Sequence, residues 1–192
     1  MIEWNRGAQN MFTISFKAVD DLDALKQMSA EQFDQAKQDI DGMIELDFNG
    51  HTYGMLFDDC PFGNERLIRW FVDLLTVAQM VSVNSYVAYR IPDSAHLWLE
   101  FKAHGEELLV SLVEDTDREV ILDLFITEPL EEFKYSTWSG VSISLESFVE
   151  EIIRNTHLFL DFISELNAKL LKSENVARMN AKLSDLEQEP ST

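Results

Sequence analysis

The chain has 192 residues, of which 35 are aspartate or glutamate and 15 are lysine or arginine, so its formal net charge is −20. Hydrophobic residues nevertheless make up 46% of it, which is enough for a core and excludes the disordered class to which acidic, poorly hydrophobic chains belong. A folded surface with this charge repels nucleic acid and anionic membrane, and it attracts basic proteins.

The length and residue usage predict one domain over residues 1–171, followed by a polar, weakly helical tail over 172–192. Cys60 is the only cysteine, which excludes an internal disulfide and a zinc site built from several cysteines. No apolar run approaches the ~20 residues that span a bilayer, and the N-terminal residues lack the features of a signal peptide. We therefore expect a cytoplasmic protein.

A strand, a surface helix and a hairpin are predicted first. Residues 11–18 alternate between apolar and polar with a period of two, which predicts a half-buried strand. Residues 22–40 carry a thin apolar stripe and predict a helix, broken near Ser29, where a capping-box pattern begins. Alternating residues from 44 to 57 surround Asn49-Gly50, a pair that favours a type I′ turn, and they predict a hairpin.

A buried helix, a series of strands and a long helix are predicted next. Residues 65–81 are apolar around most of the helix circumference, and Asn64 precedes them as the expected N-cap. Ser144 is the expected cap of a long amphipathic helix whose apolar stripe runs to Leu170. Strands are predicted at about 86–91, 96–102, 106–113 and 119–127, with a turn at His104-Gly105 and a further short strand around 141–143.

Strands that follow one another in runs, rather than alternating with helices, predict an α+β fold. We expect a mainly antiparallel sheet of about six to eight strands. It would pack against the buried central helix and the long C-terminal helix. Beyond Leu171 the apolar stripe is thin, which predicts a terminal helix that docks loosely or frays before Pro190.

The negative charge is concentrated in two segments. Residues 20–47 hold nine acidic and two basic residues, and residues 114–132 hold eight acidic residues and one arginine, so each segment has a net charge of −7. One interpretation is a solvated surface that maintains solubility. The other is an acidic patch that docks a basic partner, with Tyr135 and Trp138 as aromatic anchors. For Trp138 the sequence leaves a second role equally open, in which its ring fills one end of the core. The candidate partner-binding residues are Asp115, Asp117, Glu119, Glu128, Glu131, Glu132, Tyr135 and Trp138.

No motif of a known enzyme chemistry accompanies this charge. Asp58 and Asp59 place negative charge next to Cys60, which disfavours the thiolate that a cysteine nucleophile needs. The two aspartates could contribute to a divalent-cation site, but the spacing of an EF-hand loop is missing. The four histidines have no metal-ligand spacing, although His157 and Asp161 are four residues apart. The sequence therefore predicts no catalytic residue, no metal site and no cofactor.

The order of predicted elements resembles the C-terminal pattern of small acidic bacterial proteins that are assigned as immunity proteins of polymorphic toxin systems. The resemblance covers roughly residues 43–171 and rests on element order and hydrophobic spacing, above all on segment 141–150, Leu158-Phe159-Leu160 and Leu166-Asn167. It implies a cytoplasmic inhibitor that binds a toxin domain, often a nuclease, and blocks its active site. No motif residue of that family is carried over.

Three classes of function stay open at this point. The first is a protein-binding inhibitor that neutralises a basic toxin, since a nuclease cleft must attract phosphate and would also attract a polyanionic protein. The second is an adaptor or assembly protein without a toxin, and the exposed face of the long helix could also support a homodimer. The third is a small enzyme that uses carboxylates dispersed along the chain.

Overall fold

Two antiparallel sheets and five α-helices form the part of the chain that the structure describes. The structure is a computed structural model, and it describes residues 11–115, 123–129, 131 and 133–188. The predicted α+β fold with antiparallel strand pairing is confirmed. The strands are divided between sheets of four and six strands, whereas the sequence predicted a single sheet.

The first sheet has the strand order β1-β2-β3, and the short β4 pairs with the beginning of β2. Its predicted hairpin is confirmed, because Asn49 and Gly50 join β2 to β3 with φ angles of 51° and 87°, as a type I′ turn requires. The strands are β1 (Phe12–Ala18), β2 (Asp41–Phe48), β3 (His51–Gly54) and β4 (Glu65–Arg66).

The second sheet has the strand order β10-β7-β6-β5-β8, and β9 pairs with the end of β7. Gly105, with a φ angle of 64°, lies in the predicted turn between β6 and β7. Part of the strand predicted over 119–127 lies outside the described residues, and its described end forms β8. The strands are β5 (Tyr86–Arg90), β6 (Leu97–His104), β7 (Glu107–Glu114), β8 (Phe125–Ile126), β9 (Lys134–Tyr135) and β10 (Val141–Ser144).

The helices begin close to the positions that the capping residues predict. Ser29 forms a complete capping box with Gln32, so the first helical segment is two helices rather than one. The Ser144 hydroxyl accepts a hydrogen bond from the backbone N–H of Ser147 and caps the long helix. The helices are α1 (Leu22–Gln27), α2 (Ala30–Ala36), α3 (Leu67–Val81), α4 (Leu145–Asn167) and α5 (Glu174–Gln188), with a 3₁₀ turn at Ala168–Lys172.

The start of α3 differs from the prediction, because Asn64 does not cap it. The carboxylate of Asp39, which precedes β2, accepts hydrogen bonds from the N–H groups of Ile68 at 2.8 Å and Arg69 at 3.1 Å. It also accepts one from the N–H of Ile40, the residue next to it, at 2.8 Å. Asp39 is only 5% exposed, so a remote buried carboxylate supplies the helix cap.

Helix α3 lies between the two sheets and contacts both of them. The ring centroid of Trp70 lies 6.0 Å from that of Tyr53 in β3 and 5.9 Å from that of Tyr89 in β5. On the same helix, Phe71 stacks on Phe159 of α4 with a centroid separation of 4.9 Å. The predicted burial of α3 is confirmed, and the core is arranged around this helix.

The terminal helix α5 differs from the loosely docked helix that the sequence predicted. Its four apolar side chains, Val176, Met179, Leu183 and Leu186, are each at most 5% exposed and belong to the same core cluster as α3. A stripe of only four side chains is therefore enough to bury one face of the helix. The carboxylate of Asp34 in α2 accepts a hydrogen bond from the N–H of Glu174 at 3.0 Å and fixes the first turn.

The outer edge of β1 is covered by a side chain of α4. Oε1 of Glu151 accepts hydrogen bonds from the N–H of Ile14 at 3.0 Å and from the Asn155 amide at 2.8 Å. Burial alone would raise the pKa of Glu151, but the guanidinium of Arg154 and these two donors outweigh burial and hold the pKa below its ordinary value.

Replacing Asp39 with alanine should destabilise the protein by about 2–3 kcal/mol, because three N–H groups lose a charged acceptor. Burial raises the pKa of Asp39 although these N–H groups oppose the shift, so burial of the charge offsets part of what the hydrogen bonds contribute. Urea unfolding at neutral pH measures the change. The matched control is Asp21→Ala, which removes the single cap of α1 and should cost about 1 kcal/mol. Equal losses in the two variants would contradict the role given to Asp39.

Replacing Glu151 with glutamine should lower the free energy of unfolding by about 1 kcal/mol at pH 7, because the charge-assisted part of four hydrogen bonds is lost. The folded-state pKa of Glu151 lies below its ordinary value of 4.5, so the stabilisation is complete above that pH. It disappears as the pH falls through the folded-state pKa. Urea unfolding between pH 7 and pH 3 should therefore show the difference between wild type and E151Q vanishing at the acidic end. A constant difference would contradict the assignment.

Candidate functional site

The acidic residues of segment 114–132, which the sequence favoured as a docking patch, differ in their exposure to solvent. Asp115 is fully buried, and its backbone N–H and C=O both pair with His96, at 2.9 Å and 2.8 Å. The prediction that Asp115 contacts a partner is therefore wrong, because its side chain is buried. Glu128 and Glu131 are exposed, as predicted. Asp117, Glu119 and Glu132 lie outside the described residues.

The two predicted aromatic anchors occupy different environments. Tyr135 is 59% exposed, and its hydroxyl accepts a hydrogen bond from Nζ of Lys102 at 3.2 Å. Trp138 is half-buried, with its ring centroid 5.6 Å from that of Phe48 and 6.0 Å from that of His51. Of the two roles that the sequence left open for Trp138, the structure favours packing at the end of the core, while Tyr135 stays available to a partner.

A second acidic surface lies on the outer face of the first sheet. Thr13 and Ser15 of β1 are exposed on this face, and the strand register places them opposite Asp47 and Glu45 of β2. Both carboxylates are half-exposed. The inner face of the same strands is buried, which is the pattern that the period of two predicts for a sheet covered on one side. The outer face is thus a polar platform with two carboxylates on its central strand.

The loop between β3 and β4 carries large apolar side chains that are not buried. Met55, Phe57 and Phe62 are 57%, 54% and 62% exposed. The hairpin prediction extended the second strand to Phe57, but β3 ends at Gly54, whose φ angle of 83° turns the chain away. Met55 and Phe57, which the alternating pattern assigned to a strand, therefore lie exposed on a loop.

The loop is attached to the outer face of the sheet at two places. Nζ of Lys17, an exposed residue of β1, donates hydrogen bonds to the carbonyls of Asp58 at 2.6 Å and Phe57 at 3.5 Å. At the end of the loop, Gly63 lies so close to Gly42 that an added Cβ would be 2.2 Å from the Gly42 carbonyl oxygen. These attachments hold Phe57 and the neighbouring carboxylates in a defined place.

We call this region the sheet–loop surface and define it as Thr13, Ser15, Glu45, Asp47, Met55, Phe57, Asp58, Asp59 and Phe62. Four of its members are carboxylates, and Asp58 and Asp59 are exposed. The nearby ammonium of Lys17 is occupied by loop carbonyls. The surface thus combines three large exposed apolar side chains with four carboxylates.

The described residues offer little support for other kinds of site. Among them, no group of three or more His, Cys, Asp or Glu side chains is arranged to hold a metal ion. A cavity of about 420 Å³ beside α1 and α2 is lined by Gln27, Met28, Gln32, Gln35 and Ala36 and has no titratable side chain in its lining. In the part of the chain that the structure covers, none of the helices combines the length and apolar character needed to cross a membrane.

No protein-family model matches this chain, and neither does any curated protein or solved structure.

Replacing Phe57 and Phe62 together with serine should leave the free energy of unfolding within about 0.5 kcal/mol of wild type, because both side chains are mostly in water already. The control is Phe48→Ala, which empties a fully buried site and should cost about 3–5 kcal/mol. Urea unfolding compares the two variants with wild type. A large loss in the serine variant would show that the loop aromatics belong to the core and would remove them from the sheet–loop surface.

Proposed function

We propose that the protein binds a basic protein partner through the sheet–loop surface and inhibits it, acting in the cytoplasm as an immunity protein does against its toxin. The observation that carries the proposal is the exposure of Met55, Phe57 and Phe62 beside Asp58 and Asp59 on an anchored loop. Large apolar side chains in water are unfavourable for an isolated protein, so three of them on one loop favour a surface that is covered in a complex.

The charge and the apolar group contribute differently to such a complex. A net charge of −20 attracts a basic partner over a distance and raises the association rate, mainly at low ionic strength. Once the surfaces touch, Phe57 and Phe62 displace water and slow dissociation. A basic partner with an apolar depression near its positive surface fits both features.

Inhibition adds one requirement to binding. A protein that cleaves or binds nucleic acid needs a basic cleft for the phosphates, and an acidic surface placed over that cleft competes with its substrate. The resemblance in element order to immunity proteins points to a partner of this kind. An adaptor would use the same surface without blocking an activity, so an assay of the partner's own activity separates the two roles.

The first experiment identifies the partner. Tagged wild-type protein is used to recover binding proteins from source cells at low and at high salt, and the same is done with the variant Phe57→Ser/Phe62→Ser. We expect a basic protein that is retained by wild type at low salt, weakened by salt and lost with the variant. A binding protein recovered equally by both would contradict the sheet–loop surface as the docking site.

Binding kinetics with the purified partner should then separate the charge from the apolar contact. Phe57→Ala/Phe62→Ala should raise the dissociation rate by about 30-fold or more, the effect of losing about 2 kcal/mol of buried aromatic contact. Neutralising Glu45, Asp47, Asp58 and Asp59 as amides should lower the association rate by roughly tenfold at low salt and flatten its salt dependence.

Glu128→Gln/Glu131→Gln is the control, because it removes exposed charge from the other acidic segment. If this control slows association and the four-residue variant does not, the docking face is the 114–132 segment and the proposed surface is wrong. If the complex forms as expected but leaves the partner's activity unchanged, the inhibitory role is wrong and the protein is an adaptor.

A further inference from the structure

A small cavity between the N-terminal ends of α3 and α5 gathers positive charge on an otherwise acidic protein. It has a volume of about 260 Å³. Arg66 and Arg69 reach it from the start of α3, and Arg178 reaches it from α5. These are three of the seven arginines in the chain. The remaining lining residues are Asp39, Ile68 and Asn175.

The three guanidinium groups donate no hydrogen bond to any of the described residues. The two other described arginines are engaged instead, since Arg154 holds the carboxylate of Glu151 at 2.7 and 2.9 Å and Arg90 holds the carbonyl of Ser94 at 2.9 and 3.1 Å. Each guanidinium carries five N–H donors in a planar fork that matches an oxyanion.

Three carboxylates around the cavity formally balance the charge of the three guanidinium groups, but they do not occupy the N–H donors. Arg66 lies 3.9 Å from Asp39, and Arg69 lies 3.7 Å from Asp73 and 3.8 Å from Asp93, all beyond hydrogen-bond distance. The oxygens of Asp39 are directed at the first N–H groups of α3, and Asp73 accepts a hydrogen bond from the Tyr89 hydroxyl at 3.0 Å. The backbone amides of α3 are therefore already satisfied, and any anion would be held by side chains.

We propose that this cavity binds a phosphate group, with Arg66, Arg69 and Arg178 donating to its oxygens. Guanidinium forks form paired, charge-assisted hydrogen bonds with phosphate, and three forks from two helices can surround it. The volume admits inorganic phosphate or the phosphate end of a small monoester. Because Arg178 belongs to α5 and Arg66 and Arg69 precede or open α3, the bound group joins the two helices.

The proposal is independent of the proposed function, because none of the three arginines belongs to the sheet–loop surface. Binding should also stabilise the fold, since a ligand that joins α3 to α5 binds only when α5 is docked. Failure of phosphate binding therefore leaves the docking proposal intact, and failure of docking leaves this one intact.

Isothermal titration calorimetry at pH 7.5 tests the site with two probes, inorganic phosphate and phenyl phosphate, against a chloride background of constant ionic strength. We expect one phosphate group per chain. Arg178→Gln should weaken binding by about tenfold or more, and Arg178→Lys should weaken it less because the charge is kept but the fork is lost. Tighter binding of phenyl phosphate would identify a monoester as the ligand, and equal or tighter binding of inorganic phosphate would identify the free ion.

Lys172→Gln is the charge-matched control, because Lys172 is exposed and lies outside the cavity. Circular dichroism establishes that the variants are folded, which is expected because Arg178 is also exposed. Absence of binding by both probes at 10 mM would overturn the proposal. So would an equal affinity of wild type and Arg178→Gln, or an equal loss in Lys172→Gln, since a general charge effect would then explain the interaction.

Discussion

The position of α3 depends on one buried carboxylate. Asp39 lies just before β2, and its hydrogen bonds to the N–H groups of Ile68 and Arg69 fix the residue at which α3 begins. Most side chains of the helix are buried. With the start of the helix fixed beside the first sheet, Trp70 lies between Tyr53 of the first sheet and Tyr89 of the second. Both sheets are thus located relative to a helix that Asp39 orients.

The same use of acidic side chains explains part of the chain's charge. Three acidic side chains each accept a hydrogen bond from a backbone N–H of another element, namely those of Asp39, Asp34 and Glu151. A charged carboxylate forms a stronger hydrogen bond of this kind than a neutral side chain does. Asp20 similarly accepts from the N–H of Asp41 and pairs with Lys37, which together hold its pKa low despite burial. Asp58 and Asp59 have no such role among the described residues, so their carboxylates would be available to the partner proposed above. Net charge alone overstates the surface that is available for docking.

Local sequence patterns predicted most elements but not how they meet. The period of two in β1, the Asn49-Gly50 turn and the capping residues Ser29 and Ser144 act between near neighbours, and all four predictions are confirmed. The cap of α3 comes from 29 residues away, so no local pattern could indicate it. The division into two sheets likewise depends on which strands pair, and the alternating runs are equally compatible with one sheet.

The candidate site was missed for a related reason. Alternation carried the second hairpin strand through Met55 and Phe57, and it gave no sign that the strand ends at Gly54. The 114–132 segment was selected for its composition, yet Asp115 within it is buried, and its backbone pairs with His96 just before β6. A signal for the loop was present in the residues themselves, since Phe62 follows Pro61 in a stretch with no apolar periodicity. An aromatic residue there has no strand or helix to direct it into the core.

The attachments of this loop bear on how strongly it could bind. A flexible loop must be ordered on binding, which costs roughly 0.5–1.5 kcal/mol for each immobilised side chain. Lys17 already holds the carbonyls of Phe57 and Asp58, and the close approach of Gly63 to Gly42 fixes the loop's end, so part of this cost is met within the free protein. The apolar side chains are then presented in place while the surrounding carboxylates stay hydrated. In this arrangement the carboxylates would supply the long-range attraction and the apolar side chains would supply the short-range contact. A substitution in one group would therefore leave the contribution of the other group intact.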